Sequence, residues 1–166
     1  MPLLGILLNS NPNLWVIDRS KENFRFDNLD DQDLSNKNLQ GTDFGGGLLR
    51  GTNFANANLQ DARLTALLDE ANFTQADLRG ADLTGARLLK TNFTEADLRG
   101  AKLTGACYLQ TAIWTDAVLD EEAAYLINLL QTVEISKDLS YKNLDGVCFS
   151  RIDLQGVNFQ GTSLRG

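Results

Sequence analysis

Two acid–base pairs recur twenty residues apart in the middle of this chain. Asp77 and Arg79 are followed, in the same order, by Asp97 and Arg99. Paired carboxylates do acid–base chemistry when their surroundings push their pKa values apart. Carboxylates that face arginines on an exposed surface instead form solvated ion pairs worth ~0–1 kcal/mol each. Because nothing indicates a pocket around them, we expect a ladder of alternating charge on one outer side of the protein.

The other reactive side chains offer little for a catalytic or metal site. The 166-residue chain has no histidine and two cysteines, so a serine nucleophile would lack a histidine base and a zinc ion would lack clustered ligands. Gly45-Gly46-Gly47 suggests a phosphate loop, but no Lys-Ser/Thr pair follows, which favours a flexible turn. We therefore expect a protein that is not an enzyme, with no catalytic, cofactor-binding or metal-binding residues, no cofactor and no small-molecule substrate.

Charge and composition restrict the partners and the location. The formal net charge is −7, and the lack of a basic stripe to neutralise phosphates argues against direct nucleic-acid binding. The longest apolar stretch, Leu3 to Leu8, is too short for a transmembrane segment and has no basic segment before it, which argues against a signal peptide. Two cysteines do not make a disulfide framework. These features predict a single domain in the reducing cytoplasm.

A large apolar residue returns at every fifth position for most of the chain. The series is Phe24, Leu29, Leu34, Leu39, Phe44, Leu49, Phe54, Leu59 and Leu64, then Leu68, Phe73, Leu78, Leu83, Leu88, Phe93, Leu98, Leu103, Tyr108 and Ile113. A period of five matches neither the 3.6 residues of a helix nor the 2.0 of a strand. A repeated coil with one large inward residue in every five satisfies it, and the slip between Leu64 and Leu68 is consistent with a deletion at one corner.

A second period of twenty residues lies on top of the first. Residues 71–90 align without gaps on residues 91–110, with 14 identities in 20. Four pentapeptides then make one coil with four sides, so Phe54, Phe73 and Phe93 should stack on one another. Small residues such as Ala71 usually precede the large position by two, which suits a narrow interior. Glycines fall where each side turns its corner.

The pentapeptides Ala71-Asn72-Phe73-Thr74-Gln75 and Ala76-Asp77-Leu78-Arg79-Gly80 resemble those of the pentapeptide-repeat family. The resemblance covers some 120 to 130 residues by the spacing described above. It implies an all-β solenoid, a right-handed quadrilateral β-helix. It implies less about activity, because one fold hosts several unrelated roles. Some members of the family resemble DNA in width and charge and bind type II topoisomerases such as gyrase.

The ends of the solenoid and one interruption complete the predicted organisation. Residues 1–23 lack the repeat and should form an N-terminal cap, in which Asn11-Pro12 could open a short helix or Trp15-Val16-Ile17 form a strand. Residues 24–119 form coils, 120–138 contain an inserted amphipathic helix, and 139–166 form further coils. All of these segments belong to one solenoid domain.

The predicted helix spans residues 120–131, with Asp120 as N-cap. Its apolar face comprises Ala123, Leu126, Ile127 and Leu130. That face either packs on the outer wall of the coil or makes a dimer or partner contact, so the protein is a monomer or a weak dimer through this helix. Trp114 is either an exposed anchor or a cover for the helix.

If the helix bulges from one corner, Phe149 falls on the side that carries Phe54, Phe73 and Phe93. In this register Cys107 and Cys148 lie on different sides, so two free thiols are expected rather than a bridge.

Two function classes follow from these expectations. The first is a non-catalytic scaffold or protein-interaction module that binds another, unspecified protein through rows of Asn, Asp, Arg, Gln and Thr on its outer walls, since a filled coil leaves no pocket. The alternative, taken from the resemblance, is a DNA mimic that binds and modulates a type II topoisomerase such as gyrase. The charge of −7 is compatible with it, but arginines offset the acids in the central coils.

Overall fold

The computed structural model describes residues 23–165, so the predicted cap at residues 1–23 lies outside it except for Asn23. Parallel β-bridges join each coil to the next. The bridges of the first two described coils pair Asn23 with Asp43, Asn28 with Leu48, Asp33 with Asn53, and Asn38 with Asn58. Each coil therefore has four sides of about five residues, and each side contributes an isolated bridge rather than a longer strand. Within residues 23–165 this pattern continues to the pair Asp97 and Val118.

The regular corner of the coil is a four-residue turn. At one of them the N–H of Ala81 donates to the carbonyl of Leu78 at 3.0 Å, and Gly80 between them has a φ of 70°. A positive φ at the third residue is the requirement of a type II turn, which explains glycine there. Gln75 occupies the equivalent position with a φ of 58°, so longer side chains also adopt this conformation at a modest conformational cost.

The interior is filled by the large residues of the five-residue series. Phe54, Phe73 and Phe93 are fully buried, and their ring centroids lie 4.9 and 5.2 Å apart along the stack. The predicted phenylalanine column is thus present. The small inward position, two residues before each large one, is called the small slot and holds threonine in some coils. The hydroxyls of Thr52 and Thr91 at this position donate hydrogen bonds to the carbonyls of Leu29 and Leu68, both at 2.8 Å. These buried polar groups therefore have hydrogen-bond partners.

The slip between Leu64 and Leu68 shortens one corner. The N–H of Ala66 donates to the carbonyl of Leu64 at 2.8 Å, and Leu67 then pairs with both Leu48 and Arg87. The stack continues without a break on either side of this corner.

A second slip occurs earlier than the sequence indicated. Tyr108 has a φ of 70°, and a short 3-10 helix follows at Leu109–Thr111. As a result Leu109 is buried, whereas Ile113 points outward and is 47% exposed. The assignment of Tyr108 and Ile113 to inward positions was wrong.

Trp114 takes the inward position in place of Ile113. Its ring stacks on Phe93 with the centroids 4.6 Å apart, and its Nε1 donates to the carbonyl of Leu109 at 2.9 Å. Neither role predicted for Trp114 matches this geometry, since the indole extends the phenylalanine column.

Helix α1 spans Glu121–Ser136 and extends further than the predicted residues 120–131. Ile127, Leu130 and Val133 are buried in the same hydrophobic cluster as the coil interior. The apolar face therefore packs on the protein's own core rather than lying open. Asp120 precedes the helix without a side-chain capping bond; its carboxylate instead accepts the N–H of Gly100 at 2.7 Å.

The coils resume after α1 as residues 137–165, which we name the C-terminal coils. Asp138 pairs with Asn158, and Asn143 with Ser163. Cys148 is joined to Cys107, with their Cα atoms 5.0 Å apart, so Phe149 follows the side of Tyr108 and not that of Phe93. The predicted register across the helix was therefore wrong. Phe149 meets Phe159 edge-on, with ring centroids 6.4 Å apart.

Candidate functional site

The outer walls of the solenoid place like residues above one another. One column, the aspartate wall, contains Asn58, Asp77, Asp97 and Val118; a second, the amide wall, contains Asn53, Asn72, Asn92 and Ile113. Both columns consist of the residue between the small and the large inward positions, which the fold points outward. The spacing of twenty residues in the sequence thus becomes a vertical row on the surface.

The aspartate wall is a ladder of ion pairs, as the sequence predicted. Arg79 Nε donates to Asp77 Oδ1 at 2.8 Å, and Arg99 Nε donates to Asp97 Oδ1 at 2.9 Å. Arg79 Nε also lies 3.8 Å from Asp97 Oδ2, which links the two coils. The hydrogen bond from each arginine lowers the pKa of its aspartate below the ordinary value. Both pKa values move in the same direction, so Asp77 and Asp97 are not a carboxylate pair with divided pKa values.

The amide wall is held by side-chain hydrogen bonds between coils. Asn53 Nδ2 donates to Asp33 Oδ1, and Asn72 Nδ2 donates to Asn53 Oδ1, both at 3.0 Å. One coil on, Asn92 Nδ2 donates to Thr74 Oγ1 at 3.1 Å. This wall is neutral from Asn53 to Asn92 and lies beside the charged one.

Both walls end in an exposed apolar residue. Ile113 closes the amide wall and Val118 closes the aspartate wall, with 47% and 46% of their surfaces exposed. We name the two together the apolar edge. Exposed apolar groups bordered by polar residues can serve as interaction sites. The sequence analysis missed this feature because it assigned Ile113 to the interior.

The remaining two walls are less regular. One carries Asp43, Arg63, Asp82 and Lys102 in alternating charge, with Arg63 Nη1 3.9 Å from Asp43 Oδ2. The other carries Leu48, Leu67, Arg87 and Cys107, and its Arg87 Nε lies 2.9 Å from Asp69 Oδ2. Asp43 and Asp69 are therefore both paired with arginine.

The coils before α1, residues 23–119, are named the main stack. A cleft of about 530 Å³ opens between the main stack and the C-terminal coils. Its walls come from residues 101–106 on one side, 141–148 on the other, and the start of α1. Lys102, Glu122 and Asp145 line it together with Leu103 and Leu126. The sequence predicted no hollow anywhere in the coil; the cleft exists because the two stacks do not meet along this side.

The two cysteines close the side next to the cleft. Cys107 and Cys148 form a disulfide, so the prediction of two free thiols on different sides was wrong. The physical reason is the alignment of the C-terminal coils on the main stack. Cys148 lies on the coil next to that of Cys107, at the equivalent position. The matching order Gly105-Ala106-Cys107 and Gly146-Val147-Cys148 was the available signal.

No other candidate from the sequence forms a site. Gly45-Gly46-Gly47 is a corner followed by a small inward residue: Gly46 has a φ of 71°, and a Cβ on Gly47 would lie 3.0 Å from the carbonyl oxygen of Phe44. Among residues 23–165, no three acidic, histidine or cysteine side chains group so as to hold a metal ion. In the same part of the chain, no helix has the length and apolarity to span a membrane.

Comparison with known proteins identifies the repeat. The sequence model of the family described as pentapeptide repeats matches residues 33–66 and 66–105, with eight copies. No match is found among curated proteins.

Three solved structures show how far the likeness extends. A pentapeptide repeat protein from the Arabidopsis thaliana thylakoid lumen is 28% identical with a TM-score of 0.54, and the match covers 69% of this chain and 74% of that one. The pentapeptide repeat protein Rfr23 from the cyanobacterium Cyanothece 51142 is 33% identical with a TM-score of 0.41, covering 57% and 60%. QnrB1, a plasmid-mediated fluoroquinolone resistance protein, is 18% identical with a TM-score of 0.32, covering 87% and 90%, too remote for a functional argument.

The molecule is thus a β-solenoid of short repeats. Its residues 33–66 and 66–105 match the pentapeptide-repeat family, as the sequence resemblance indicated. The likeness to solved pentapeptide-repeat proteins implies the right-handed quadrilateral β-helix for its coils.

Proposed function

We propose that this protein is a non-catalytic scaffold that binds another protein through one end of its aspartate and amide walls, the end that carries Ile113 and Val118. The observation that carries the proposal is the apolar edge, where exposed Ile113 and Val118 end two ordered polar rows. The coil interior offers no competing site, because its phenylalanine column is fully buried. Binding therefore falls to the outer surface.

The two walls suit a rigid interface. Their side chains are already fixed by hydrogen bonds between coils, such as Asn72 to Asn53 at 3.0 Å, so a partner need not order them on binding. The aliphatic pair supplies the desolvated centre, and the amide and carboxylate rows supply a polar rim. A partner with an apolar centre and hydrogen-bonding or basic groups around it matches this surface.

The test compares three forms of the purified protein as baits in a lysate of the source organism. Wild type should retain a partner; Ile113→Ser combined with Val118→Ser should weaken the affinity for that partner about tenfold or more. Ile135→Ser is the matched control, because Ile135 is an exposed aliphatic residue on α1 and belongs to neither wall. Absence of any retained protein, or equal retention by the double variant, would contradict the proposal.

The alternative of a gyrase-binding DNA mimic stays a prediction, and the charge arrangement weighs against it. A mimic needs rows of unpaired negative charge, whereas Asp77 and Asp97 are paired with Arg79 and Arg99. DNA supercoiling by gyrase with the added protein checks the point, and unchanged activity at micromolar protein is the outcome we expect.

The cytoplasmic location also stays a prediction. The Cys107–Cys148 disulfide supports a compartment in which thiols are oxidised, because cytosolic thiols are usually kept reduced. The thylakoid-lumen origin of one similar protein is compatible with such a compartment. Fractionation of the source organism, with the thiols blocked during lysis, distinguishes the two locations.

A further inference from the structure

The disulfide is one of the contacts that hold the C-terminal coils to the main stack. The described contacts across this junction include Gly105 N–H donating to the carbonyl of Gly146 at 2.9 Å and Gln110 Nε2 donating to the carbonyl of Ser150 at 2.8 Å. Beside them the ladder is open: within residues 23–165 the carbonyl of Ala101 and the N–H of Leu103 have no backbone partner on the next coil. The cleft occupies this gap.

The disulfide lies on the outer wall, where a reductant can reach it. Both cysteines are partly exposed, as expected for a position that points away from the core. A buried structural disulfide would be shielded from attack by an external thiolate.

Its surroundings favour the thiolate that cleavage would produce. The backbone of Cys107 pairs with that of Arg87, whose guanidinium is bound by Asp69, and the guanidinium carbon of Arg151 lies 5.8 Å from the ring centroid of the adjacent Tyr108. Ser150 Oγ lies 3.1 Å from Cys148 Sγ. Because a disulfide sulfur carries no hydrogen, the hydroxyl is the donor, and it would go on to stabilise a Cys148 thiolate. Nearby positive charge and a hydrogen-bond donor are features of exchangeable cysteines.

We propose that Cys107–Cys148 is a site of thiol–disulfide exchange with a dithiol reductant, and that its cleavage releases the C-terminal coils from the main stack. The reductant's thiolate attacks Cys107 Sγ, the S–S bond breaks, and Cys148 leaves as a thiolate that takes up a proton. The second thiol of the reductant then attacks the mixed disulfide and frees Cys107. In total two electrons and two protons pass from the dithiol, which becomes a disulfide, to the protein.

Release would change the surface as well as the stability. The C-terminal coils bury their large residues less completely than the main stack: Leu164 is 52% exposed, whereas Leu78, Leu83 and Leu88 are fully buried. Once untethered, these coils remain linked through α1, and the cleft can widen into an accessible apolar surface that includes Leu103 and Leu144. The oxidised and reduced forms thereby present different faces, independently of the partner proposed for the apolar edge.

The experiment uses the full chain, oxidised or treated with dithiothreitol without denaturant, and follows amide hydrogen exchange by mass spectrometry. We expect two thiols to appear per chain. We also expect exchange within residues 137–165 to rise about tenfold or more, because a disulfide closing a loop of this size contributes several kcal/mol. Exchange within residues 71–100 should not change.

Two variants extend this experiment. Cys107→Ser combined with Cys148→Ser should show the reduced pattern with or without dithiothreitol, and the reduced wild type gives the same information should that variant fail to fold. Ser150→Ala should retain the disulfide but be reduced several-fold more slowly. The proposal is overturned by free thiols in the air-oxidised protein, by resistance to dithiothreitol in the native state, or by equal exchange in both redox forms.

Discussion

Trp114 stacks on Phe93 with ring centroids 4.6 Å apart and ring planes 11° from parallel. It thereby extends the column of Phe54, Phe73 and Phe93 by one coil, although it lies 21 residues after Phe93 instead of the usual 19 or 20. The extra residue is absorbed at Tyr108, whose left-handed backbone leads into the 3-10 helix Leu109–Thr111. The last coil of the main stack thus keeps its interior aligned despite the insertion.

Replacing Trp114 should therefore behave as a core substitution. Trp114→Ala should lower the free energy of unfolding by ~3–5 kcal/mol, because it removes a stacked indole and leaves a cavity. Ile113→Ser, at the neighbouring outward position, should change it by under ~0.5 kcal/mol. Urea denaturation of both variants checks this expectation. A larger loss for Ile113→Ser than for Trp114→Ala would contradict the assignment of inward and outward positions.

The middle of the phenylalanine column gives a second comparison. Phe73→Ala should lower the free energy of unfolding by ~3–5 kcal/mol, since Phe73 is fully buried between two parallel rings. Asp77→Ala should cost under ~1 kcal/mol, because its ion pair with Arg79 is partly exposed. Thermal unfolding of the two variants measures the difference, and Phe73→Leu, which fills part of the cavity, is the control for Phe73→Ala.

The five-residue pattern predicted the main stack because one position in five is both large and buried. The five-residue series was assigned to the wrong residues at Tyr108 and Ile113. These two residues are five apart and could fill large inward positions, but the residues that do so, Leu109 and Trp114, each follow one position later. Spacing alone does not distinguish two apolar series offset by one residue. The small residue two positions earlier does not distinguish them either, because Thr111 precedes Ile113 by two just as Ala112 precedes Trp114.

The register across α1 was harder to predict for a different reason. An inserted helix can return the chain to any side of the coil, and the spacing of residues 139–166 is the same for all of them. The disulfide follows from that register, so it was missed as well. The apolar edge was missed for a simpler reason, because its Ile113 had been counted as core.

The face of α1 gives a third prediction. Leu130 and Val133 are buried in the protein's own core, so Leu130→Ser should destabilise the fold by ~2–5 kcal/mol. Ile135→Ser, on the exposed side of the same helix, should change stability by under ~0.5 kcal/mol. Denaturation together with light scattering checks this. An unchanged stability with loss of a dimer for Leu130→Ser would show that the face binds a second copy instead.

The aspartate wall predicts how stability depends on pH. The hydrogen bonds from Arg79 and Arg99 hold the pKa of Asp77 and of Asp97 below the ordinary value in the folded protein, while in the unfolded chain an aspartate has a pKa of about 3.9. A lowered folded-state pKa means that the folded protein binds these protons less readily than the unfolded chain. The stabilisation is therefore fully present above the unfolded pKa and is lost as the pH falls through the folded-state pKa values.

Asp77→Asn combined with Asp97→Asn should remove this part of the acid sensitivity, because an asparagine does not titrate. The measurement is the free energy of unfolding from urea titrations between neutral pH and the acid limit of the folded state. The wild type should lose stability more steeply than the double variant in the acid range, and the two curves should run parallel near neutral pH. Asp116→Asn, at an exposed corner residue outside the ladder, is the matched control and should leave the steep acid limb in place. Equal slopes for the wild type and the double variant would mean that the ladder does not stabilise the ionised carboxylates.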